Sequence, residues 1–251
     1  MKEIVCIFCQ KQKEKSKEHI WPRWLQTLIG GTEQSFYQGV HLSPIFPIST
    51  RIHSGESLVY GHVCNECNNG WMSKLEAECK PLIIKLIINR HFIDSLSKTD
   101  RQKISLWAFK TALIINAGSN YRKIIPDSHY SHLYRHQIII KNVKIDIGFL
   151  PSEKALSWRQ SQISFGLMHQ NDKENFHELL KNSYKVSLQI NNIGIRVSFF
   201  PHVKEFGYKI SFSEKEKNLR IWPYQKNSLF NSKLEYESLD DFDLDCSVIP
   251  I

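Results

Sequence analysis

The residues with the most demanding chemistry lie in two Cys-x-x-Cys pairs, Cys6/Cys9 and Cys64/Cys67. Each pair can turn two thiolates toward one ion, and two pairs complete a tetrahedral four-sulfur site of the kind that holds zinc. Such a site is closed, so we expect this zinc to be structural. A thioredoxin-like redox pair is the alternative, but neither pair begins a helix inside a βαβ unit.

Candidate catalytic residues lie between these pairs and directly after them: Glu18, His19 and Asn68. A histidine free of zinc can take a proton from water near neutral pH, which makes His19 a candidate general base. The Glu18 carboxylate and the Asn68 side-chain carbonyl are oxygen donors of the type that Mg²⁺ prefers. Such a cation would neutralise a phosphoryl group during phosphodiester cleavage. The plain alternative is a pair at the start of a helix, with His19 simply hydrogen-bonded.

Two further residues are candidates for the site. Asn69 is a candidate site residue and also a candidate helix cap, because Asn is a preferred cap residue. His62 stands two residues before Cys64, where it could approach the metal or lie on the surface of a strand. Of the two remaining cysteines, we expect Cys79 to pack on a helix face and Cys246 to lie in the tail.

A resemblance to the HNH (ββα-metal) nuclease family rests on three motifs within residues 4–80: Cys6-x-x-Cys9, Glu18-His19-Ile20-x-Pro22 and Cys64-x-x-Cys67-Asn68-Asn69. It implies a zinc-stapled, treble-clef-like ββα-metal fold in which His19 is the general base. It also implies that Glu18 and Asn68 hold a catalytic divalent ion. Glu18 stands where aspartate is commoner, and Asn68 stands where a histidine is often found. Residues 56–63 contain no counterpart of the family's middle asparagine.

Composition and charge bound the class of protein. The formal net charge is +8, but residues 96–233 carry +12 and residues 234–251 carry −6. A basic middle suits a polyanion such as nucleic acid, although a solvated lysine-rich surface gives the same count. No apolar run approaches the roughly 20 residues of a membrane helix, and the segment around Cys6 and Cys9 lacks the apolar core of a secretory signal, so we expect no such signal. Six cysteines without such a signal favour metal binding in a reducing compartment, so we expect a cytoplasmic protein without a membrane partner.

Hydrophobic spacing predicts the elements that must position these residues. In the first third we expect the elements that follow: a strand over 4–9, a helix from Trp21 that stops at Gly30-Gly31, a strand over 57–63, a helix after Cys67, and a new helix starting at Pro81. After a break at 94–97, Asp100 is expected to cap a long helix with one apolar face, and a shorter helix should follow Pro126. A further helix is expected over 174–180.

Residues beyond 137 alternate as strands do, over 143–149 and 186–190, with a hairpin turn at Asn191-Asn192 before another strand. The sequence therefore predicts an α+β fold with two domains. Residues 1–95 form the zinc-containing HNH-like domain, and residues 96–251 form a basic, mainly antiparallel α+β domain that binds substrate or a partner. Its acidic tail, 234–251, is either a disordered solubility tail or a competitor of nucleic acid for the basic surface.

These features predict a metal-dependent endonuclease that hydrolyses phosphodiester bonds in nucleic acid, DNA rather than RNA. Its cofactors would be a structural Zn²⁺ and a catalytic Mg²⁺ or another divalent cation. A non-catalytic zinc-binding nucleic-acid module is the first alternative. The second is a protein-interaction subunit, with a protein partner or a second copy of the chain on its basic surface.

Overall fold

The computed structural model describes residues 3–29, 36–43, 46–54, 59–119, 123–152, 156–161, 183–201, 203–205, 207–225 and 229–251. Helices and mainly antiparallel sheets are mixed along the chain, which confirms the predicted α+β class. The predicted stop at Gly30-Gly31 and the predicted helix over 174–180 lie outside the described residues. No described helix has the length and hydropathy that a bilayer span requires.

The turn that contains Cys6 and Cys9 interrupts what the sequence predicts as one strand over 4–9. The elements of this segment are β1 (Glu3–Val5), β2 (Gln12–Glu14), β3 (Glu18–His19) and α1 (Arg23–Ile29). β1 ends at Val5 because the chain turns back at once, and the Gln10 N–H donates to the Cys6 carbonyl at 2.9 Å. Gln10 takes a left-handed φ of 58° to close this turn, so β1 and β2 pair as a hairpin around it.

Three strands lead to the second cysteine pair: β4 (Phe36–Ser43), β5 (Phe46–Ser54) and β6 (Val59–Tyr60). β6 ends at Tyr60, before the predicted end at residue 63, and residues 57 and 58 of the predicted strand lie outside the described residues. A single bridge between Lys15 and Cys64 continues the pairing there. β6 is antiparallel to β3, which brings together segments about 40 residues apart in the chain.

The helix after the second cysteine pair is continuous where the sequence predicts a break. It comprises α2 (Asn65–Cys67), a wide π-type turn (Asn68–Met72) and α3 (Ser73–Ile88). Pro81 lies inside α3, so the prediction of a new helix there is wrong. A proline inside a helix removes one backbone hydrogen bond, but here the apolar face continues through it. The buried residues of that face are Leu75, Cys79, Ile83 and Leu86.

A 3₁₀ turn (Arg90–Ser95) separates α3 from α4 (Lys98–Gly118). The N-cap of α4 is Ser97, and Asp100 is the third helical residue, so the predicted cap is corrected by three positions. The Ser97 hydroxyl accepts from the Asp100 N–H at 3.1 Å, and the Asp100 carboxylate accepts from the Ser97 N–H at 3.1 Å. The predicted apolar face of α4 is confirmed as buried. Its members are Ile104, Trp107, Ala108, Thr111, Ala112 and Ile115.

The helix predicted after Pro126 is α5 (Asp127–His136), and a large sheet follows it. The remaining strands up to residue 222 are β7 (Val143–Phe149), β8 (Leu156–Ser161), β9 (Tyr184–Ile190), β10 (Ile193–Phe199), β11 (Tyr208–Phe212) and β12 (Leu219–Trp222). Seven strands form one sheet in the order β12-β7-β10-β9-β8-β4-β5. Only the β4–β8 pair is parallel within that sheet. The predicted turn at Asn191-Asn192 joins β9 to β10, with Asn191 at a φ of 55°.

The acidic tail is folded, so the alternative of a disordered tail is wrong. It forms α6 (Leu239–Asp245) and β13 (Cys246–Pro250), and β13 pairs with β11. Buried carboxylates hold the tail in place. Asp243 lies 2.9 Å from the Lys185 ammonium, and Asp245 accepts from the Tyr236 hydroxyl at 2.8 Å. Cys246, expected in the tail, is fully buried there.

One buried apolar cluster extends across the predicted domain boundary at residue 95. It includes Phe8 and Trp21 from the first third as well as Trp107 and Val197 from the remainder. The hairpin β4–β5 also joins the large sheet through β8. The division into domains stays a prediction, and the two predicted units share a core and a sheet.

Candidate functional site

The four paired cysteines converge on one point. Their sulfur atoms all lie within 4.8 Å of one another, and the Cys9 and Cys64 sulfurs are 3.8 Å apart. Two sulfurs bound at ~2.3 Å to one tetrahedral zinc ion would be separated by about 3.8 Å. A hydrogen bond from the Cys67 thiol lowers the pKa of Cys6 to about 4, and the same hydrogen bond raises the pKa of Cys67, while burial raises the pKa of Cys9. The donor set and its spacing therefore fit a zinc ion.

Local backbone geometry forms this cluster. The Cys64 side chain caps α2 by accepting from the Cys67 N–H at 3.5 Å, and Cys64 N–H points at the Cys6 sulfur at 3.4 Å. The Ile7 N–H donates to the His62 carbonyl at 2.9 Å, which ties the two turns together. Cys6, Cys64 and Cys67 are buried and Cys9 is half-buried. A closed site of this kind is structural, because no coordination position is left for substrate.

The strand that carries Glu18 and His19 runs beside the approach to the second cysteine pair. Glu18 pairs with Tyr60 and His19 pairs with Val59. Asn68 lies at the first turn after that pair, where its side-chain N–H donates to the Ser16 hydroxyl at 3.1 Å. The Ser16 hydroxyl in turn donates to the Val63 carbonyl at 2.9 Å. Ser16 thus links Asn68 to the segments that carry the two-stranded ribbon of β3 and β6. The Asn68 side-chain oxygen has no hydrogen-bond donor among the described residues.

His19 is half-buried, and its imidazole accepts at Nε2 from the Arg23 Nε–H at 3.3 Å. Burial, followed by the Arg23 charge, lowers the pKa of His19 below its ordinary value. The neutral ring therefore prevails at neutral pH, which is the form that a general base needs. Arg23 occupies the nitrogen that carries the lone pair, so an incoming water competes with its guanidinium for that nitrogen.

Glu18 is buried and already has a cationic partner. The Lys110 ammonium, on α4, lies 3.4 Å from the Glu18 Oε1 and 2.6 Å from the Glu76 Oε1. Burial lowers the pKa of Lys110, but the Glu76 and Glu18 carboxylates outweigh it, and that pKa lies above its ordinary value. Burial raises the pKa of Glu18, which Lys110 only partly offsets. A divalent ion at Glu18 would have to share the carboxylate with this ammonium.

Lys110 and Glu76 are the site residues that the sequence analysis missed. Lys110 interrupts the apolar run of α4 and has no exposed side-chain surface, so it needed a buried carboxylate. Glu76 lies in the first turn of α3. Its charge acts on both Glu18 and His19. A lysine inside an apolar helix pattern was the signal that could have found this pair.

The two remaining candidates lie outside the metal cluster. His62 is exposed, with its ring 5.6 Å from the Tyr60 ring, and the cluster found among the described residues consists of the four cysteines alone. Asn69 is exposed and donates to the Asn65 side-chain carbonyl one turn earlier. Its amide therefore bonds within the helix segment and does not cap it. Cys79 is fully buried on α3, as predicted.

Comparisons with known protein families, with characterised proteins and with solved structures gave no match. The resemblance to the HNH family stays a prediction that rests on the residues themselves.

Proposed function

We propose that the protein is a metal-dependent endonuclease of the HNH type that hydrolyses phosphodiester bonds, with DNA as its substrate. One observation carries the proposal. The sulfur cluster holds β3, with Glu18 and His19, beside the approach to α2, and Asn68 begins the turn after the fourth sulfur. A zinc-stapled, treble-clef-like ββα unit would have this order of elements: a two-stranded ribbon, a cysteine-containing turn and a helix.

In this proposal His19 takes the proton from the attacking water. Its half-buried, neutral ring supports that role. The Asn68 side-chain oxygen and the second oxygen of Glu18 are the donors offered to a divalent cation, which would supply charge neutralisation at the phosphoryl group. Lys110 holds the first Glu18 oxygen and thereby orients the carboxylate. Arg23, beside the imidazole, is placed to meet a phosphate oxygen.

The test is cleavage of supercoiled plasmid with added Mg²⁺ or Mn²⁺. We expect the wild type to cleave and His19→Ala to be slower by about a hundredfold or more, because a general base contributes roughly 10²–10⁴-fold. His136→Ala is the matched control, since it removes an exposed histidine at the end of α5. Equal rates for His19→Ala and the wild type would remove His19 from the mechanism.

A second function is favoured by the Lys110 ammonium, which already neutralises the Glu18 carboxylate without a divalent ion. That arrangement suits a zinc-binding nucleic-acid module without catalytic activity. The two proposals differ in one experiment that follows binding and cleavage of the same labelled duplex. Retarded but uncut duplex in the presence of Mn²⁺ would favour the binding module, and metal-dependent products would favour the nuclease.

A further inference from the structure

A group of cationic side chains lies on the large sheet, far along the chain from the cysteine cluster. Arg196 on β10 and Arg220 on β12 both face the single carboxylate of Asp146 on β7. The Arg196 Nη2 lies 3.7 Å from Asp146, and Arg196 is fully buried. Two guanidiniums therefore share one buried carboxylate at this point. Arg196 also donates to the Phe242 carbonyl and to the Asn218 side-chain oxygen.

Arg220 lines a cavity of about 350 Å³, a volume within the roughly 300–1,000 Å³ of small-molecule sites. Lys144, Lys215 and Arg220 contribute positive charge to its lining, and none of the described residues that line it is acidic. Neither Lys144 nor Lys215 forms an ion pair with any described residue. Burial, followed by the Arg220 charge, lowers the pKa of Lys144, so a bound anion would relieve an unfavourable environment.

Apolar side chains and amides line the same cavity. Phe212 lines it, and the ring has the Arg220 guanidinium 5.5 Å from its centroid. Ile210 extends the apolar wall, and the Asn218 and Gln225 amides stand on the same lining. An anionic group at the two lysines, next to a flat, partly polar heterocycle at Phe212, would match this lining.

We propose that this cavity binds a nucleotide unit, with its phosphate at Lys144, Lys215 and Arg220 and its base against Phe212 and Ile210. The unit comes either from a free nucleoside monophosphate or from the phosphorylated end of a nucleic-acid strand. The proposal uses no residue of the metal-bound ribbon. It therefore stands independently of the proposed nuclease activity, and the binding should be unchanged in His19→Ala.

Isothermal titration calorimetry with adenosine 5′-monophosphate at low salt tests the site. We expect about one nucleotide per chain. Lys144→Met and Lys215→Ala should each weaken binding by about tenfold or more, the usual effect of losing a charge-assisted hydrogen bond. Lys215 is exposed, so its variant keeps the test valid if Lys144→Met folds poorly. Lys209→Ala, on β11 but outside the cavity lining, should bind as the wild type does.

Three additional titrants decide the outcome. Inorganic phosphate and adenosine should each bind more weakly than the nucleotide. A 5′-phosphorylated oligonucleotide that binds with the same dependence on Lys144 would identify a strand end as the source. Binding of the mononucleotide alone would identify a free nucleotide. The proposal is overturned if the wild type does not bind the nucleotide, if phosphate binds equally well, or if Lys209→Ala weakens binding as much as Lys144→Met.

Discussion

At the scale of single residues, we expect the buried Lys110 to contribute most to the stability of the candidate site. One ammonium lies between the Glu18 and Glu76 carboxylates and has no exposed surface, so all three groups depend on one another. Removing the cation leaves two carboxylates facing each other at low dielectric. Breaking a buried ion pair in this way typically costs about 3–5 kcal/mol, because the partner charges stay uncompensated.

We therefore expect Lys110→Met to lower the free energy of unfolding by about 3–5 kcal/mol, measured by urea denaturation. The matched control is Lys103→Met, because Lys103 also lies on α4 and also pairs with a glutamate of α3. Lys103 lies 3.4 Å from Glu78, but both side chains are more than a third exposed. Such pairs contribute about 0–1 kcal/mol, so the two variants should differ clearly. A similar loss of unfolding free energy in both variants would show that Lys110 does not stabilise the Glu18 and Glu76 carboxylates more than an exposed ion pair would.

The combined replacement of Lys110 with Met and of Glu18 and Glu76 with Gln should recover most of the stability, because no charge then lies buried without a partner.

The candidate site could be predicted from the sequence only in part. Spacing alone pointed to Glu18 and His19. It did not indicate the partner of Glu18, because Lys110 lies 92 residues further along and meets it only through the packing of α4. The sequence signal for this long-range contact is the position of Lys110 itself, a lysine within the apolar pattern of α4.

At the scale of elements, we expect the two cysteine-containing turns to decide whether the ribbon of β3 and β6 forms. β3 and β6 contain two residues each. A pair of strands this short is not stable on its own in water. The sulfur cluster joins the chain on either side of them. A structural zinc site supplies about 10–16 kcal/mol of binding free energy at neutral pH in small domains, so we expect these short strands to depend on a zinc ion at the sulfur cluster.

Replacing one sulfur tests this dependence. We expect the wild type to contain about one zinc per chain by atomic absorption, and Cys64→Ser to lose the metal and the protection of β3 and β6 against amide hydrogen exchange. Cys79→Ala removes an equally buried cysteine on α3 that is not part of the cluster, and it should keep its zinc. Full zinc content in Cys64→Ser would show that the metal is not held by the four sulfurs.

Elements that follow from local rules were predicted well, and the errors came from packing. The apolar face of α4 and the turn at Asn191 are local patterns, and the structure has both. Pro81 carries an equally local signal for a helix start, but α3 continues because its apolar face packs on α4. The placement of β4 beside β8 had no local signal, since parallel pairing between distant strands depends on the assembled core.

At the scale of the whole molecule, part of the uneven charge of the sequence is paired inside the fold. The basic middle and the acidic tail meet on one face of the large sheet. Asp243 pairs with Lys185, and the Asp240 carboxylate accepts from the Arg159 guanidinium at 3.1 Å. A charge of +12 over residues 96–233 therefore overstates the positive surface that nucleic acid could meet. The tail acts as a structural counterpart of the basic strands.

Asp243→Ala tests that role. Asp243 is fully buried, lies 2.9 Å from Lys185 and accepts from the Ser187 hydroxyl at 2.5 Å. Removing it leaves a buried ammonium with one charge partner fewer, so the free energy of unfolding should fall by about 3–5 kcal/mol. Glu237→Ala makes the same change of charge at an exposed position of the tail and should alter stability by less than about 0.5 kcal/mol. If the tail served only to add negative charge, the two variants would behave alike, in stability as well as in solubility. A large difference between them is expected because the acidic segment is part of the folded core and α6 covers the polar face of β9.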